Sequence, residues 1–143
     1  MYTQIQGIIP HRPPMVMIDG YKRLSPNTGM AVKTFGPNDY ACRDGRVMEA
    51  FLIEAMAQTV AAHQGYEQLG TDDPTPPPGM LVTVDAFECF HSLSAGDTID
   101  IHIDHVGDVG GFQLIQGRVD RGGCLIAQGE FKIFSPPKGE DTP

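Results

Sequence analysis

The chain has 143 residues, 41% of them apolar, and a net charge of −8, which suits one domain with a single core. That charge argues against nucleic acid and acidic membrane surfaces as partners. No apolar run approaches the roughly 20 residues of a membrane span.

Met1–Gly7 lacks a basic stretch followed by an apolar core, so no secretory signal is expected. Tyr2–Ile9 reads as a short helix or turn. Pro10, Pro13 and Pro14 then favour extended backbone, with His11 and Arg12 inside this stiff stretch. Met15–Tyr21 reads as a first strand, Ser25-Pro26-Asn27 as a turn and Met30–Phe35 as a second strand, together a hairpin. A polar loop, Gly36–Gly45, leads into a long helix over Gly45–Tyr66. Asp44 is its expected N-cap, and Glu49 lies in the first turn, where the dipole favours an acid.

That helix organises the chain. It is rich in Ala, Leu, Met, Glu and Gln, which favour helix. From Phe51 to Ala62 its polar groups are Glu54, Gln58 and Thr59. A helix apolar nearly all round is buried, so this one is expected at the centre of the domain. Burying a lone carboxylate is costly, and Glu54 must shift its pKa upward or find a donor. Gln58 lies at i+4, on the same face. A carboxylate in an apolar wall beside a carboxamide suits general acid–base work. Alternatively, Glu54 caps a neighbouring backbone segment or emerges at the surface.

After Gly65, the stretch Glu67–Gly79 contains D-D-P-T-P-P-P-G and reads as a stiff surface loop. Met80–Phe90 is a strand. In Thr98–Val106, Ile99, Ile101 and Ile103 alternate with Asp100, His102 and Asp104, the pattern of a strand with one wet face. Phe112–Asp120 and Cys124–Phe134 follow, each preceded by a Gly-Gly turn suited to a tight hairpin. The reading is one domain over 1–135 and a disordered tail over 136–143. One long helix with antiparallel strands on both sides in sequence is an α+β plan.

His63, nine residues beyond Glu54, falls on the opposite side of the helix and reads as structural. His102 and His105 fall on opposite faces of one strand. Cys89-x-His91 is a weak metal spacing without a second pair, so no metal is expected. Cys42, Cys89 and Cys124 form an odd, scattered set, which fits reduced thiols in a cytoplasm better than disulfides. Residues 1–46 hold six basic and three acidic side chains, a local charge of +3. The remainder carries −11. The basic end could receive an acidic partner, or its charges could simply solvate loops.

Three segments, in order, carry a resemblance to a known family. E-A-M-A-Q (Glu54–Gln58) resembles the central-helix motif of the 3-hydroxyacyl-[acyl carrier protein] dehydratases, hotdog-fold proteins. I-P-H-R-P-P-M-V-M-I-D (Ile9–Asp19) resembles their N-terminal segment, and A-G-D (Ala95–Asp97) their turn between two late strands. The resemblance implies a hotdog fold, an antiparallel sheet wrapped around one long central helix. It implies acyl-thioester chemistry in fatty-acid or polyketide-type synthesis, with Glu54 as one catalytic group and Gln58 beside it. It also implies no resident cofactor, because phosphopantetheine arrives on the carrier.

The family's loop histidine is missing. No histidine lies between Arg12 and Ala62, and Tyr40 stands where the family's histidine would be counted. His11 or Tyr40 is the candidate second group, or else His11 only braces the Pro-rich turn. Arg12, Arg43 and Arg46 are candidates for binding an acyl carrier protein or acyl-CoA. A homodimer is expected through edge pairing of the Met80–Phe90 strands, with hetero-assembly with another hotdog protein as a further option. Glu54 is then expected in the wall of a narrow apolar tunnel near the subunit interface. Three functions stay open: dehydration, thioester hydrolysis, and a non-catalytic acyl-binding or partner subunit.

Overall fold

In the computed structural model, which describes residues 1–72 and 80–134, six antiparallel strands form one sheet and a single long helix packs against it. The strands are β1 (Gly20–Arg23), β2 (Thr28–Thr34), β5 (Met80–Cys89), β6 (Thr98–Val109), β7 (Phe112–Arg121) and β8 (Cys124–Phe134), in the order β1-β2-β6-β7-β8-β5. The helix is α1 (Ala50–Gln68). A small hairpin, β3 (Cys42–Arg43) with β4 (Arg46–Val47), stands just before it. No helix among the described residues is long and apolar enough to cross a membrane.

The late strands follow the alternation of their sequence. Ile99, Ile101 and Ile103 in β6, Ile115 and Val119 in β7, and Phe131 and Ile133 in β8 all join the buried cluster. Their polar neighbours face outward, the two-residue period of a strand packed on one side. Gly110-Gly111 and Gly122-Gly123 all take positive φ, as the expected tight hairpins require.

The helix completes that core with Leu52, Ala55, Met56, Val60 and Ala62. It packs across β1, β2, β6 and β7. Its other side, including Ile53, Glu54, Ala57 and Ala61, is only half-buried, so one chain does not enclose it. Gly65 sits against the Ile5–Ile8 turn. A Cβ there would lie 1.8 Å from the Ile8 carbonyl oxygen, so glycine is what lets the turn and the helix touch.

Two elements differ from the sequence expectation. The first strand begins at Gly20 rather than Met15, because the apolar run Met15–Ile18 gives its backbone groups to a side chain instead of a ladder. Gln58 accepts the Met17 N–H at 2.7 Å and donates to the Met15 carbonyl at 2.8 Å. The helix begins at Ala50 rather than Gly45, because residues 42–47 turn back on themselves. Asp44 and Gly45 take φ of 52° and 78° in that hairpin. Asp44 is therefore not the N-cap. Glu49 holds that position and makes no side-chain capping bond.

Within Tyr2–Ile9, Thr3 bridges to Tyr21 in antiparallel fashion, and a turn follows in which the Ile8 and Ile9 N–H groups donate to the Ile5 carbonyl. Much of the Pro-rich loop, residues 73–79, and the tail over 136–143 lie outside the described residues.

Candidate functional site

Three elements meet at Glu54. The helix supplies Glu54 and Gln58 one turn apart, and the Pro-rich segment lays His11 beside them. Gln58 Nε2 donates to Glu54 Oε1 at 3.0 Å, so the carboxylate has the donor that its apolar surroundings require. His11 Nε2 stands 3.8 Å from the same oxygen. The two side chains are 34% and 30% exposed, so a substrate can reach both.

Gln58 is fully buried, and all its hydrogen-bonding groups are engaged. Its oxygen takes the Met17 N–H, and its nitrogen donates to the Met15 carbonyl and to Glu54. This pattern fixes the orientation of the amide, because N–H groups donate and carbonyls accept. Gln58 therefore holds the His11-bearing segment and the carboxylate in one frame. It positions them and presents no free group of its own. His11 Nδ1 is buried without a hydrogen-bond partner among the described residues.

Tyr40, the other candidate second group, is exposed and set edge-on against Phe51, with ring centroids 5.5 Å apart. Phe51 is one turn before Glu54, so Tyr40 flanks the site without a hydrogen bond to the carboxylate. Arg12 turns its guanidinium onto the carbonyls of Gln6, Ile9 and His11 and fastens the turn that carries His11. Arg43 and Arg46 face each other across the β3–β4 hairpin, both exposed. Neither forms an ion pair among the described residues.

His63 is buried and lies away from Glu54. Its Nε2 meets the Pro26 carbonyl at 2.8 Å, which can only accept, so Nε2 carries the proton and Nδ1 accepts from the Tyr21 hydroxyl. Burial, with Glu67 nearby, pushes the Tyr21 hydroxyl well above its ordinary pKa. Cys89 donates its thiol to the His91 carbonyl, and burial followed by Glu49 raises its pKa.

A hollow of about 550 Å³ opens on the outer face of the sheet, lined by His102, Asp104, Gln116, Arg118, Gln128 and Glu130. Glu54 does not line it. In one chain the expected tunnel wall at Glu54 is a half-open helix face. Sequence reading missed a group on the inner side: Lys33, buried between Asp19 and Asp39. Its signal was present, since Ala31, Lys33 and Phe35 share one face of an alternating strand.

A family model described as ApeP-like, ApeP dehydratase, matches residues 3–142. No curated protein sequence matches the chain. Among solved structures it is similar to the dehydratase heterocomplex ApeI:P from Xenorhabdus doucetiae, at 22% identity over 96% of this chain and 94% of that one, with a TM-score of 0.84. It is also similar to a hypothetical thioesterase with coenzyme A from Streptococcus pneumoniae TIGR4, at 12% identity over 81% and 85% of the two chains and a TM-score of 0.63. A third is smu.793 from Streptococcus mutans UA159 bound to acetyl CoA, at 12% identity over 84% and 90%, with a TM-score of 0.64. Likeness at these identities establishes the fold, a hotdog sheet around its helix.

Proposed function

The chain belongs to the ApeP-like dehydratase family, and from that premise we propose that it acts on 3-hydroxyacyl thioesters through Glu54 and His11. The observation that carries this reading is the approach of His11 Nε2 to Glu54 Oε1, 3.8 Å apart, on side chains that a substrate can reach. Dehydration needs one group to take the Cα proton and another to protonate the departing hydroxyl. With Glu54 as base, its carboxylate gains the Cα proton and the C–H pair becomes the double bond. His11, protonated, gives its proton to the β-hydroxyl, which leaves as water. The pair then resets through solvent, which reaches both side chains: the carboxylic acid gives up its proton and the imidazole takes one up. A positioned acid or base contributes about 10²–10⁴ in rate.

The acyl group reaches the site on a phosphopantetheine arm, borne by an acyl carrier protein or coenzyme A. Arg43 and Arg46 support this reading, because two exposed arginines that form no ion pair among the described residues suit a phosphate or an acidic carrier. Arg12 is retained as a contributor through its hold on the His11 turn. The chain works in the cytoplasm, where its three free cysteines stay reduced.

Assembly with a second hotdog subunit, of the same or another kind, closes the site. The half-open helix face and the place of β5 at the edge of the sheet among the described residues support this. So does the likeness to a heterocomplex. A second reading has two supports: the chain lacks the loop histidine of the 3-hydroxyacyl-[acyl carrier protein] dehydratases its motifs resemble, and it is similar to a chain of a heterocomplex, as a non-catalytic partner would be.

The test is hydration of an enoyl thioester by the isolated protein, and by the protein mixed with a histidine-bearing hotdog partner. Wild type should turn over, and Glu54→Gln should lose about 10²–10⁴ of that rate with little change in melting temperature. Full activity in the variant removes Glu54 from the mechanism. Activity only in the mixture, unaffected by Glu54→Gln, selects the partner role. Release of free thiol without hydration selects hydrolysis.

A further inference from the structure

Lys33 occupies an inward position of β2, in the row of Ala31 and Phe35, both fully buried. Its side chain is 9% exposed. The ammonium lies 3.5 Å from Asp19 Oδ1, 3.3 Å from Asp39 Oδ2, and 5.6 Å from the centroid of the Phe35 ring. Each carboxylate is held by a backbone group as well. Asp19 Oδ2 accepts the Thr34 N–H at 2.7 Å, and Asp39 Oδ2 accepts the Gly36 N–H at 2.8 Å.

Burying a lysine to pair it is a poor way to gain stability. Desolvating the ammonium offsets much of the attraction, and an apolar side chain of similar size often serves as well or better. Ionic contacts differ from apolar ones in fixing particular atoms in particular places. Here the atoms belong to the two segments that flank Glu54. Asp19 ends the segment that begins at His11 and that Gln58 grips in its middle. Asp39 immediately precedes Tyr40, whose ring rests on Phe51.

We propose that Lys33 is a positioning residue of the Glu54 site, a single buried ammonium that ties the His11-bearing segment and the Tyr40-bearing loop to β2 and to each other. This rests on the thioester reading of the site for its consequence in rate, though not for its consequence in geometry. Asp19 and Asp39 are 48% and 35% exposed, so removing the lysine leaves neither acid buried without water. The fold should therefore survive, and the loss should fall on the loops.

The experiment uses the full chain and Lys33→Met, an unbranched apolar replacement. Proton NMR would follow the contacts between the His11 ring and the Glu54 side chain, and between the Tyr40 and Phe51 rings. Methyl signals of Ile101 and Ile115 report the core. Both loop contacts should weaken while the two methyl signals hold. The kcat for enoyl-thioester hydration should fall about tenfold or more, with KM within about twofold, since small misplacements of reacting groups act on the chemical step. Retained loop contacts overturn the proposal. Loss of the Ile101 and Ile115 signals also overturns it, because Lys33 would then be holding the core. Lost contacts with unchanged kcat show that the position of these loops does not matter to the reaction. If wild type turns over no thioester, the proposed function fails, and the loop contacts alone decide the role of Lys33.

Discussion

Residues 1–49 and residues 98–134 are built on different principles. The later region is three long strands, β6 to β8, joined by Gly-Gly turns and packed through alternate apolar side chains. Backbone ladders satisfy its polar groups. The earlier region has two short hairpins and otherwise irregular chain. Its backbone is held by single side chains: Gln58 on Met15 and Met17, Arg12 on the turn at His11, Asp19 on the end of β2 and Asp39 on Gly36 just beyond it. The candidate chemistry outside the helix sits in this second kind of structure. An irregular segment can bring a histidine to a helix carboxylate at an angle no ladder allows, but it then depends on a few polar contacts.

The largest expected break in this contrast is Gln58→Leu. The change leaves the buried Met17 N–H and the part-buried Met15 carbonyl without their partner. Each unsatisfied group costs about 1–3 kcal/mol, the part-buried carbonyl at the low end of that range, so equilibrium unfolding should show a loss of about 2–4 kcal/mol. Amide exchange should show Met17 losing its protection locally, while ladder amides of β7 and β8 change only with global stability. A loss below about 1 kcal/mol with Met17 still protected would mean that the segment is held by its prolines and Arg12 instead.

The next is Gly65→Ala, at the contact between the helix and the Ile5–Ile8 turn. The added Cβ would stand 1.8 Å from the Ile8 oxygen and 2.7 Å from its carbonyl carbon, and a backbone cannot swing aside as a side chain can. Overpacking of this kind costs about 1–3 kcal/mol. In an uncrowded helix the same exchange stabilises by about 1 kcal/mol, so the sign of the change in melting temperature decides the question. A stabilised variant would show that the turn yields freely and that the earlier region is looser than its contacts imply.

The same contrast explains what could be read from sequence. Alternation in Ile99, Ile101 and Ile103 and the two Gly pairs located the late strands. The i,i+4 rule placed Gln58 beside Glu54, and nine residues of helix took His63 away from it. These are consequences of a regular period. His11 beside Glu54 was available only through the resemblance, because no period governs a Pro-rich segment. The same gap made Met15–Tyr21 look like a strand: an apolar run does not reveal that its N–H and C=O groups bond to a glutamine 41 to 43 residues away. Asp44 looked like a cap because acid-before-helix is a frequent pattern, whereas its positive φ depends on the hairpin it turns. Lys33 was legible as a misfit in an apolar row, but its two carboxylates come from loops that sequence could not place.

The smallest expected effect lies in the regular region and sharpens the contrast from the other side. His102, on the outer face of β6, has its pKa lowered, first by burial and then by the Arg118 guanidinium, with Asp120 and Asp100 opposing. Its unfolded reference is 6.5. Above that value both states hold the ring neutral, and it contributes nothing to the pH dependence. As pH falls below 6.5 the unfolded chain takes up the proton before the folded one does, so unfolding is favoured until the folded pKa is passed. The His102 contribution therefore makes wild type lose more stability than His102→Gln between pH 7.5 and 5.5. At pH 7.5 the variant should lie within about 0.5 kcal/mol of wild type, as surface substitutions usually do. Urea midpoints at the two pH values measure both. Thioester turnover at pH 7.5 should be unchanged, because the outer hollow lined by His102 is not lined by Glu54. A fall in turnover with no change in stability would mean that this ladder transmits geometry to the site. The division between a region that holds the fold and a region that holds the chemistry would then be drawn in the wrong place.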